Sequence, residues 1–324
     1  MNIQSQSGHR QATRGATRSI CIIANPVSGK EDTGLFPRLE HVLTELGGRH
    51  ELRVAESGGQ LESLAEHAVG DRFDVIAAAG GDGTIAAVTS ALFHARKGAG
   101  SDLPHLGVIP LGTFNYVARE YGLPQDDPEA ALRLLATAPA RPISVGTVNG
   151  RVFLNNASLG AYPAILDQRE GIYRRWGRSR IAAYWSVLQV LASLPSPLSM
   201  TIDIDGEQRR KKSPLAFVAN SAYQIREFDL PGAEEVEEGR FAIYMAPDTG
   251  RYGLILRALR LAGRIARPGR DMELMHGRTV TIATRQKKRL VARDGEKTEM
   301  KSPFTFELHK DALTLVAPDQ TATE

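Results

Sequence analysis

Short apolar runs alternate with amphipathic stretches through the first part of the chain. Runs rich in Ile, Val and Ala have the length of buried strands, and they predict strands at 20–24, 50–54, 74–78 and 106–109. Stretches with leucines or alanines three and four positions apart predict helices at 35–46, 61–69, 85–95, 114–121 and 128–136. This alternation predicts βαβ units, and therefore an α/β domain with a parallel sheet covered by helices on both faces.

The pattern changes near residue 141, where extended runs follow one another without intervening helices. Strands are predicted at 145–148, 152–156, 199–204, 215–219, 241–246, 279–284 and 304–307, with helices only at 181–194 and 252–266. This pattern favours an antiparallel β-sandwich. We therefore predict an α/β domain at 19–140 and a sandwich domain at 141–318, whose last strand can return to the first domain. Residues 1–18 and 319–324 are predicted to be tails.

Composition narrows the class of protein without identifying it. Hydrophobic residues make up 42% of the 324 residues and charged residues 24%, which is ordinary for a globular protein. The single cysteine, Cys21, excludes a disulfide within the chain and favours a reducing, cytoplasmic location. No apolar secretory segment precedes the first strand, and the apolar stretch at 181–194 is too short to span a bilayer. Any membrane contact is therefore expected to be peripheral.

The turn from Gly80 to Thr84 carries the clearest chemical signal. Two glycines, an acid, a third glycine and a threonine separate an apolar strand from the start of a helix. Glycines allow a ligand to approach the backbone, and the free amides of a helix N-terminus attract an anion such as phosphate. An acid in a phosphate-binding turn requires a cation between the two, so Asp82 is a candidate ligand for Mg²⁺ on a nucleotide.

Two further polar turns follow predicted strands of the same sheet. Residues 25–30 contain a serine, a glycine and a lysine suited to phosphate oxygens, although a structural strand-to-helix turn is an equal alternative. Residues 111–115 repeat the design, with helix capping as their alternative role. Because ligands bind beyond the carboxyl ends of parallel strands, these turns are expected to converge with the Gly80–Thr84 turn.

A third kind of motif lies near the end of the chain, at residues 293–296. Asp294 and Glu296 flank a glycine and point to the same side of an extended chain. A type I′ hairpin turn with a solvated Asp-Gly pair is the alternative, and the spacing alone favours it.

In this order, the motifs at 25–30, 80–84, 107–115 and 294–296 resemble those of the diacylglycerol kinase catalytic-domain family, which includes bacterial lipid kinases and the sphingosine and ceramide kinases. The resemblance runs from about residue 18 to 318, and residues 155–160 look like the first strands of that family's second domain. It implies an N-terminal domain similar to those of NAD kinase and phosphofructokinase, a C-terminal β-sandwich, and ATP with Mg²⁺ in the cleft between them.

The resemblance also implies roles for single residues. Asp294 corresponds to the general base that removes the proton of a lipid hydroxyl, while Asp82 and Glu296 hold the metal. The implied nucleotide-binding residues are Asn25, Pro26, Ser28, Gly29, Lys30, Ser57, Gly80, Gly81, Asp82, Gly83, Thr84, Gly112, Thr113 and Asn115. The implied reaction is ATP-dependent phosphorylation of a lipid hydroxyl, diacylglycerol giving phosphatidic acid. The alternatives are a sphingoid or other lipid kinase, an NAD kinase-like enzyme, and a non-catalytic nucleotide- or lipid-binding regulator.

Two positions depart from the family pattern. Tyr116 stands where many members carry an aspartate of the acidic metal network. Residues 237–239 replace an Asp-Asp-Gly turn that binds a structural Mg²⁺ in the family, so Glu238 is a candidate metal ligand there, with a solvated acidic turn as an equal alternative.

Arginines suggest how a lipid substrate is reached. Arg257, Arg260, Arg264 and Arg267 share one face of the predicted helix 252–266, and this basic face is expected to meet an anionic membrane, with a solvated face as its alternative. A second basic stretch at 169–180 includes Tyr173 and Trp176. No nucleic-acid recognition motif accompanies these arginines, so no nucleic-acid partner is predicted. A homodimer is compatible with the sequence.

Overall fold

The computed structural model describes residues 18–26, 32, 34–99, 103–161, 197–262 and 269–319. An α/β domain is followed by an antiparallel β-sandwich, which confirms the predicted fold class. The predicted helix at 181–194, the basic stretch at 169–180 and the end of the predicted helix at 252–266 lie outside the described residues. Among the helices described, none has both the length and the apolar composition needed to cross a bilayer.

The described strands number sixteen and the described α-helices eight. The strands are β1 (Ile20–Ala24), β2 (His50–Val54), β3 (Val75–Gly80), β4 (His105–Pro110), β5 (Ala140–Val148), β6 (Arg151–Phe153), β7 (Asn156–Gly160), β8 (Leu198–Ile204), β9 (Glu207–Ser213), β10 (Leu215–Ala219), β11 (Phe241–Met245), β12 (Glu273–Gly277), β13 (Thr279–Thr284), β14 (Lys288–Arg293), β15 (Glu296–Lys301) and β16 (Phe304–Val316). The helices are α1 (Leu35–Leu46), α2 (Leu61–Gly70), α3 (Asp82–Ala99), α4 (Tyr116–Glu120), α5 (Pro128–Thr137), α6 (Ala222–Glu227), α7 (Ala233–Glu237) and α8 (Gly250–Ala262).

Two sheets organise the molecule. The larger has the order β2-β1-β3-β4-β16-β13-β8-β9, with β5 and β6 paired beside β16, and its first four strands are parallel. The smaller has the order β12-β11-β10-β7-β14-β15 and is antiparallel. Strand β16 pairs with β4 of the first domain and with β13 of the second, so one long strand joins both domains.

Apolar clusters lie on both faces of the parallel sheet and between the two sheets of the sandwich. Helix α1 shows why the first domain folds this way: Leu35, Leu39, Val42 and Leu43 lie on one face at helical spacing, and all four are buried against the sheet. In the second domain, Phe153, Phe241 and other side chains of both sheets fill the space between them.

The element boundaries differ from the predicted ones where polar contacts override the apolar pattern. The predicted strand 152–156 is divided into β6 and β7, since the intervening backbone amides bond to a side chain rather than to a neighbouring strand. The apolar pattern does not predict the charged strands β9, β14 and β15, because they carry few apolar residues. The predicted helix 114–121 begins only at Tyr116, because Asn115 has a left-handed backbone.

Candidate active site

Three turns meet at the carboxyl ends of β1, β3 and β4, as expected from the sequence. The Asn25 amide donates to the Ala79 carbonyl at 3.1 Å, and the Leu111 amide donates to the Gly80 carbonyl at 2.9 Å. The Asn25 side chain also reaches the central turn, with Nδ2 3.4 Å from Oγ1 of Thr84. The polar groups of all three turns therefore share one edge of the sheet.

Two glycines let these turns approach each other. A Cβ atom on Gly112 would lie 2.6 Å from the Gly81 Cα, closer than side-chain carbons come to backbone. The Asn115 side chain fixes the turn by accepting a hydrogen bond from the Gly112 amide at 3.0 Å. Asn115 itself has φ of 49°, a left-handed conformation that asparagine tolerates. Backbone contact between the turns therefore requires glycine at position 112.

Substituting Gly112→Ala is expected to lower the free energy of unfolding by about 1–3 kcal/mol, because the methyl group must push two backbone turns apart. Gly70→Ala is the matched control, since a Cβ on Gly70 at the end of α2 meets nothing within 4 Å. Urea unfolding of both variants measures the difference. Equal stability of the two variants would contradict the close packing of the turns.

Asp82 is the first residue of α3 and lies in a partly buried position between two helix N-termini. Burial raises the pKa of Asp82, while hydrogen bonds from the Tyr116 and Asn115 backbone amides and from the Asn155 side chain act in the opposite direction. Its Oδ1 atom is buried and has no hydrogen-bond partner among the described residues. A desolvated carboxylate oxygen without a donor is suited to a cation.

The residues around Asp82 fit Mg²⁺. The Oδ1 atom of Asn155, whose side chain is hydrogen-bonded to Asp82, is likewise buried and lacks a donor among the described residues. The adjacent Asn156 donates instead from Nδ2 to Gln224 Oε1 at 2.9 Å. Carboxylate and amide oxygens are the ligands of a hard cation, and Mg²⁺ commonly takes only one or two carboxylates together with substrate phosphates. Accordingly, no cluster of three or more acidic, His or Cys side chains suited to a metal occurs in the described part of the chain.

Asp294 and Gly295 form the two-residue turn between β14 and β15, both with positive φ, as in a type I′ hairpin. The carboxylate is nevertheless not a solvated turn group. It accepts hydrogen bonds from the backbone amides of Leu154 at 2.7 Å, Asn155 at 2.8 Å and Asn156 at 3.1 Å. The hairpin therefore holds Asp294 against the break between β6 and β7.

The Asp294 carboxylate can accept a hydrogen bond from one more donor. Two carboxylate oxygens offer about four acceptor positions, and three of them are taken by backbone amides. Burial is the main cause that raises its pKa to about 6; the three amide bonds oppose this shift and the negative charge of Asp82 adds to it. A carboxylate that still has a free position and a pKa near neutrality is suited to act as a general base.

Glu296 brings the second domain against the first. A Cβ atom on Gly83 would lie 2.7 Å from Oε1 of Glu296, so the carboxylate rests on the turn that carries Asp82. Beside it, Arg293 donates from Nη1 to the Val152 carbonyl, and its Nε is buried with no hydrogen-bond partner in the described ranges. Burial lowers the pKa of Arg293, opposed by the charges of Asp294 and Glu296.

The other predicted nucleotide-binding residues follow strands of the parallel sheet. Ser57 follows β2 and is exposed, Pro26 lies in the turn after β1, and Thr113 is exposed in the turn after β4. Ser28, Gly29 and Lys30 lie outside the described residues.

Glu238, the predicted ligand of a separate structural Mg²⁺, lies at the end of α7. Glu238 and Glu237 each form an ion pair with an arginine, Arg240 and Arg226 respectively. Glu235 faces His276 at 3.5 Å. Acidic side chains that are neutralised by arginines have less to offer a metal, so the alternative of a surface acidic turn fits the geometry better.

Tyr116 contributes its backbone where the family pattern has an acid. Its amide is hydrogen-bonded to the Asp82 carboxylate, whereas its ring stacks on Phe114 with centroids 5.8 Å apart. The substitution therefore removes one charge from the surroundings of Asp82 and keeps the helix N-terminus that faces it.

Three features of the site are absent from the sequence prediction. The sequence indicates Asn155 and Asn156 only as part of a strand, and Arg293 only as a neighbour of the Asp-Gly turn. Glu120, at the end of α4, accepts from the Ala222 amide at 3.1 Å and so links the first domain to α6. Burial raises the pKa of Glu120. Of these features, only the asparagine pair has a signal in the sequence, because two adjacent asparagines stand beside a buried apolar run.

Comparison with known proteins agrees with this architecture. Residues 19–148 match the diacylglycerol kinase catalytic domain, and residues 168–317 match the YegS C-terminal NAD kinase beta sandwich-like domain. The two domains of the chain are therefore similar to these two family models, in agreement with the resemblance that the sequence motifs carry.

Individual relatives match parts of the chain. A diacylglycerol kinase of Bacillus subtilis is 35% identical over 191 residues, which are 57% of this chain and 59% of the relative. A diacylglycerol kinase of Staphylococcus aureus is 37% identical over 143 residues, 43% of this chain and 42% of the relative. The matched part thus spans less than two thirds of either relative. The crystal structure of a diacylglycerol kinase from Bacillus anthracis superposes with a TM-score of 0.70 at 22% identity, covering 95% of this chain and all of that one, and so shares the fold.

Proposed function

We propose that this protein is an ATP-dependent lipid kinase that transfers the γ-phosphate to a lipid hydroxyl, with diacylglycerol as the leading substrate. The observation that carries the proposal is that Asn155 joins the two carboxylates: its backbone amide donates to Asp294 at 2.8 Å, and its side chain is hydrogen-bonded to Asp82. Oε1 of Glu296, two residues from Asp294, lies against Gly83, next to Asp82. Phosphoryl transfer needs positioning and charge neutralisation more than covalent chemistry. Two carboxylates with different surroundings can divide these tasks.

Each residue then has a separate role. Asp294 accepts the proton of the lipid hydroxyl while the hydroxyl oxygen bonds to the γ-phosphorus and the bond from that phosphorus to ADP breaks. The amides of Leu154, Asn155 and Asn156 hold the Asp294 carboxylate in place during this transfer. Asp82, with Asn155 and Glu296 beside it, would hold Mg²⁺. When bound, Mg²⁺ neutralises the phosphate charge that develops in the transition state.

Radiolabelled phosphate transfer from ATP to a panel of lipids tests the proposal. The panel contains diacylglycerol, ceramide, sphingosine and, as a non-lipid acceptor, NAD. Transfer to diacylglycerol supports the proposal. Faster transfer to a sphingoid base or to NAD would identify that acceptor as the substrate in place of diacylglycerol. Absence of transfer to every acceptor, with ATP binding retained, would favour the non-catalytic regulator.

A further inference from the structure

Glu120 is a carboxylate of the first domain that lies against the second. It is the last residue of α4, and it accepts a hydrogen bond from the Ala222 amide of α6 at 3.1 Å. The Ser221 hydroxyl and the Tyr223 amide donate to the same carboxylate. Ser221 and Ala222 are buried, so water does not compete for their bonds. Three donors from one segment of the second domain therefore converge on one side chain of the first.

The other end of α4 belongs to the candidate active site. The Tyr116 amide, at the first residue of α4, is hydrogen-bonded to the Asp82 carboxylate. With five residues, α4 is little more than one helical turn, and Val117 fixes this turn in the core of the first domain. A displacement of Glu120 is therefore transmitted to the amide that orients Asp82.

Helix α6 is connected in a similar way to the proposed base. Ala222 and Ile225 pack α6 on the smaller sheet, in a cluster that includes residues of β11. Gln224 of α6 accepts a hydrogen bond from Nδ2 of Asn156 at 2.9 Å, and the Asn156 amide donates to Asp294 at 3.1 Å. The helix that holds Glu120 therefore also holds the residue that supplies one of the three amides around Asp294.

Two routes of contacts thus connect the carboxylates of the site. The short route is Asn155, whose amide donates to Asp294 and whose side chain is hydrogen-bonded to Asp82. The long route runs from Asp82 through α4, crosses the domain boundary at Glu120, and continues through α6 to Asp294. Together the two routes form a closed ring, and a fully satisfied polar network rigidifies the groups that it connects.

We propose that Glu120 is a positioning residue of the kinase reaction, which fixes the metal ligand Asp82 relative to the base Asp294. The roles of those two carboxylates rest on the proposed function. Misplacement of reacting groups by about 1 Å can cost about a hundredfold in rate. The implied nucleotide-binding turns all lie in the first domain, so loss of Glu120 should slow phosphoryl transfer much more than it weakens ATP binding.

Steady-state kinetics of Glu120→Ala, Glu120→Gln and Asp127→Ala test the proposal. Asp127 is the matched control, because its carboxylate accepts from the Ala130 amide at 2.9 Å at the start of α5, inside the first domain. We expect Glu120→Ala to lower kcat by about ten- to a hundredfold with the KM for ATP nearly unchanged, and Asp127→Ala to keep the wild-type kcat. Glutamine keeps an oxygen for the Ala222 amide and can donate to the Ser221 hydroxyl, so Glu120→Gln should recover most of kcat.

Hydrogen exchange of the same variants, measured without substrate, tests the positioning separately from the activity. The reporters are the amides of residues 115–116, which face Asp82, and of residues 154–156, which donate to Asp294. Both groups of amides should exchange faster in Glu120→Ala than in wild type, and at the wild-type rate in Asp127→Ala.

The kinetics overturn the proposal if Glu120→Ala keeps the wild-type kcat, if Asp127→Ala loses as much, or if Glu120→Gln is as slow as Glu120→Ala. Unchanged exchange at residues 154–156 in Glu120→Ala also contradicts it, because the effect of Glu120 would then end at α6. A wild-type protein that transfers no phosphate refutes the kinase, whereas the exchange comparison still decides whether Glu120 positions the two carboxylates.

Discussion

Replacing Asp294 by asparagine is expected to lower kcat for the proposed lipid phosphorylation by about 10²–10⁴-fold, the range by which general bases contribute to catalysis. Asparagine keeps the shape of the side chain but cannot take a proton from the lipid hydroxyl. In the wild-type enzyme the rate should fall as the pH drops through about 6, because protonation of Asp294 removes the base. The residual activity of Asp294→Asn should lack this dependence. Steady-state rates between about pH 5 and 8 measure both effects.

The same substitution is expected to destabilise the fold, so a control for unfolding is needed. An asparagine amide would face the backbone amides that now donate to Asp294, at a cost of about 1–3 kcal/mol. Asp205 provides the match: it begins an Asp-Gly hairpin turn with φ of 50°, and its carboxylate accepts from the Thr279 amide at 2.9 Å. Asp205→Asn should lose less stability, because Asp205 is exposed, and should retain activity. Equal losses of activity in the two variants would show that Asp294 acts only through the fold.

Substituting Asp82→Asn is expected to lower kcat/KM by about a thousandfold or more, because metal neutralisation of the phosphates is worth several kcal/mol. ATP binding should also lose its dependence on Mg²⁺, which titration calorimetry with and without the metal measures. Thermal unfolding of Asp82→Asn is the control for misfolding, because the Asn115 and Tyr116 amides that donate to Asp82 would face the new asparagine side chain.

Glu238→Gln separates the two candidate metal positions. Glu238 is ion-paired with Arg240, so its loss should leave the Mg²⁺ dependence of ATP binding as in wild type. A Glu238 variant that loses this dependence while Asp82→Asn retains it would reverse the assignment and place the metal in the acidic turn.

Two Asp-Gly turns in this chain have different roles that their sequences do not distinguish. Asp205-Gly206 and Asp294-Gly295 have the same dipeptide, the same positive φ at both residues and a carboxylate that accepts backbone amides. Spacing and composition do not distinguish them, and only resemblance to a family selects Asp294. The structure distinguishes them by their neighbours, because the partners of Asp294 lie about 140 residues earlier, next to the Asn155 side chain that contacts Asp82.

Helix α8 illustrates a second limit. Its period correctly predicts a helix with two unlike faces, but the face that turns inward depends on a residue beyond the helix. Asp271 is buried and has to be neutralised, and it draws Arg257 and Arg260 inward. Leu256 and Leu259 are exposed, whereas Leu254 is half-buried.

The sequence by itself determined the α/β and sandwich domains, the buried strands of the parallel sheet and the glycine turn that carries Asp82, since these are recognisable from the local apolar periodicity and from the residues of each turn. Only the tertiary structure decided the environment of Asp294, the unpaired oxygen of Asn155, and the orientation of α8. Each of those depends on desolvation and on hydrogen bonds between distant segments, and the free energy of a charge depends on what surrounds it once the chain has folded.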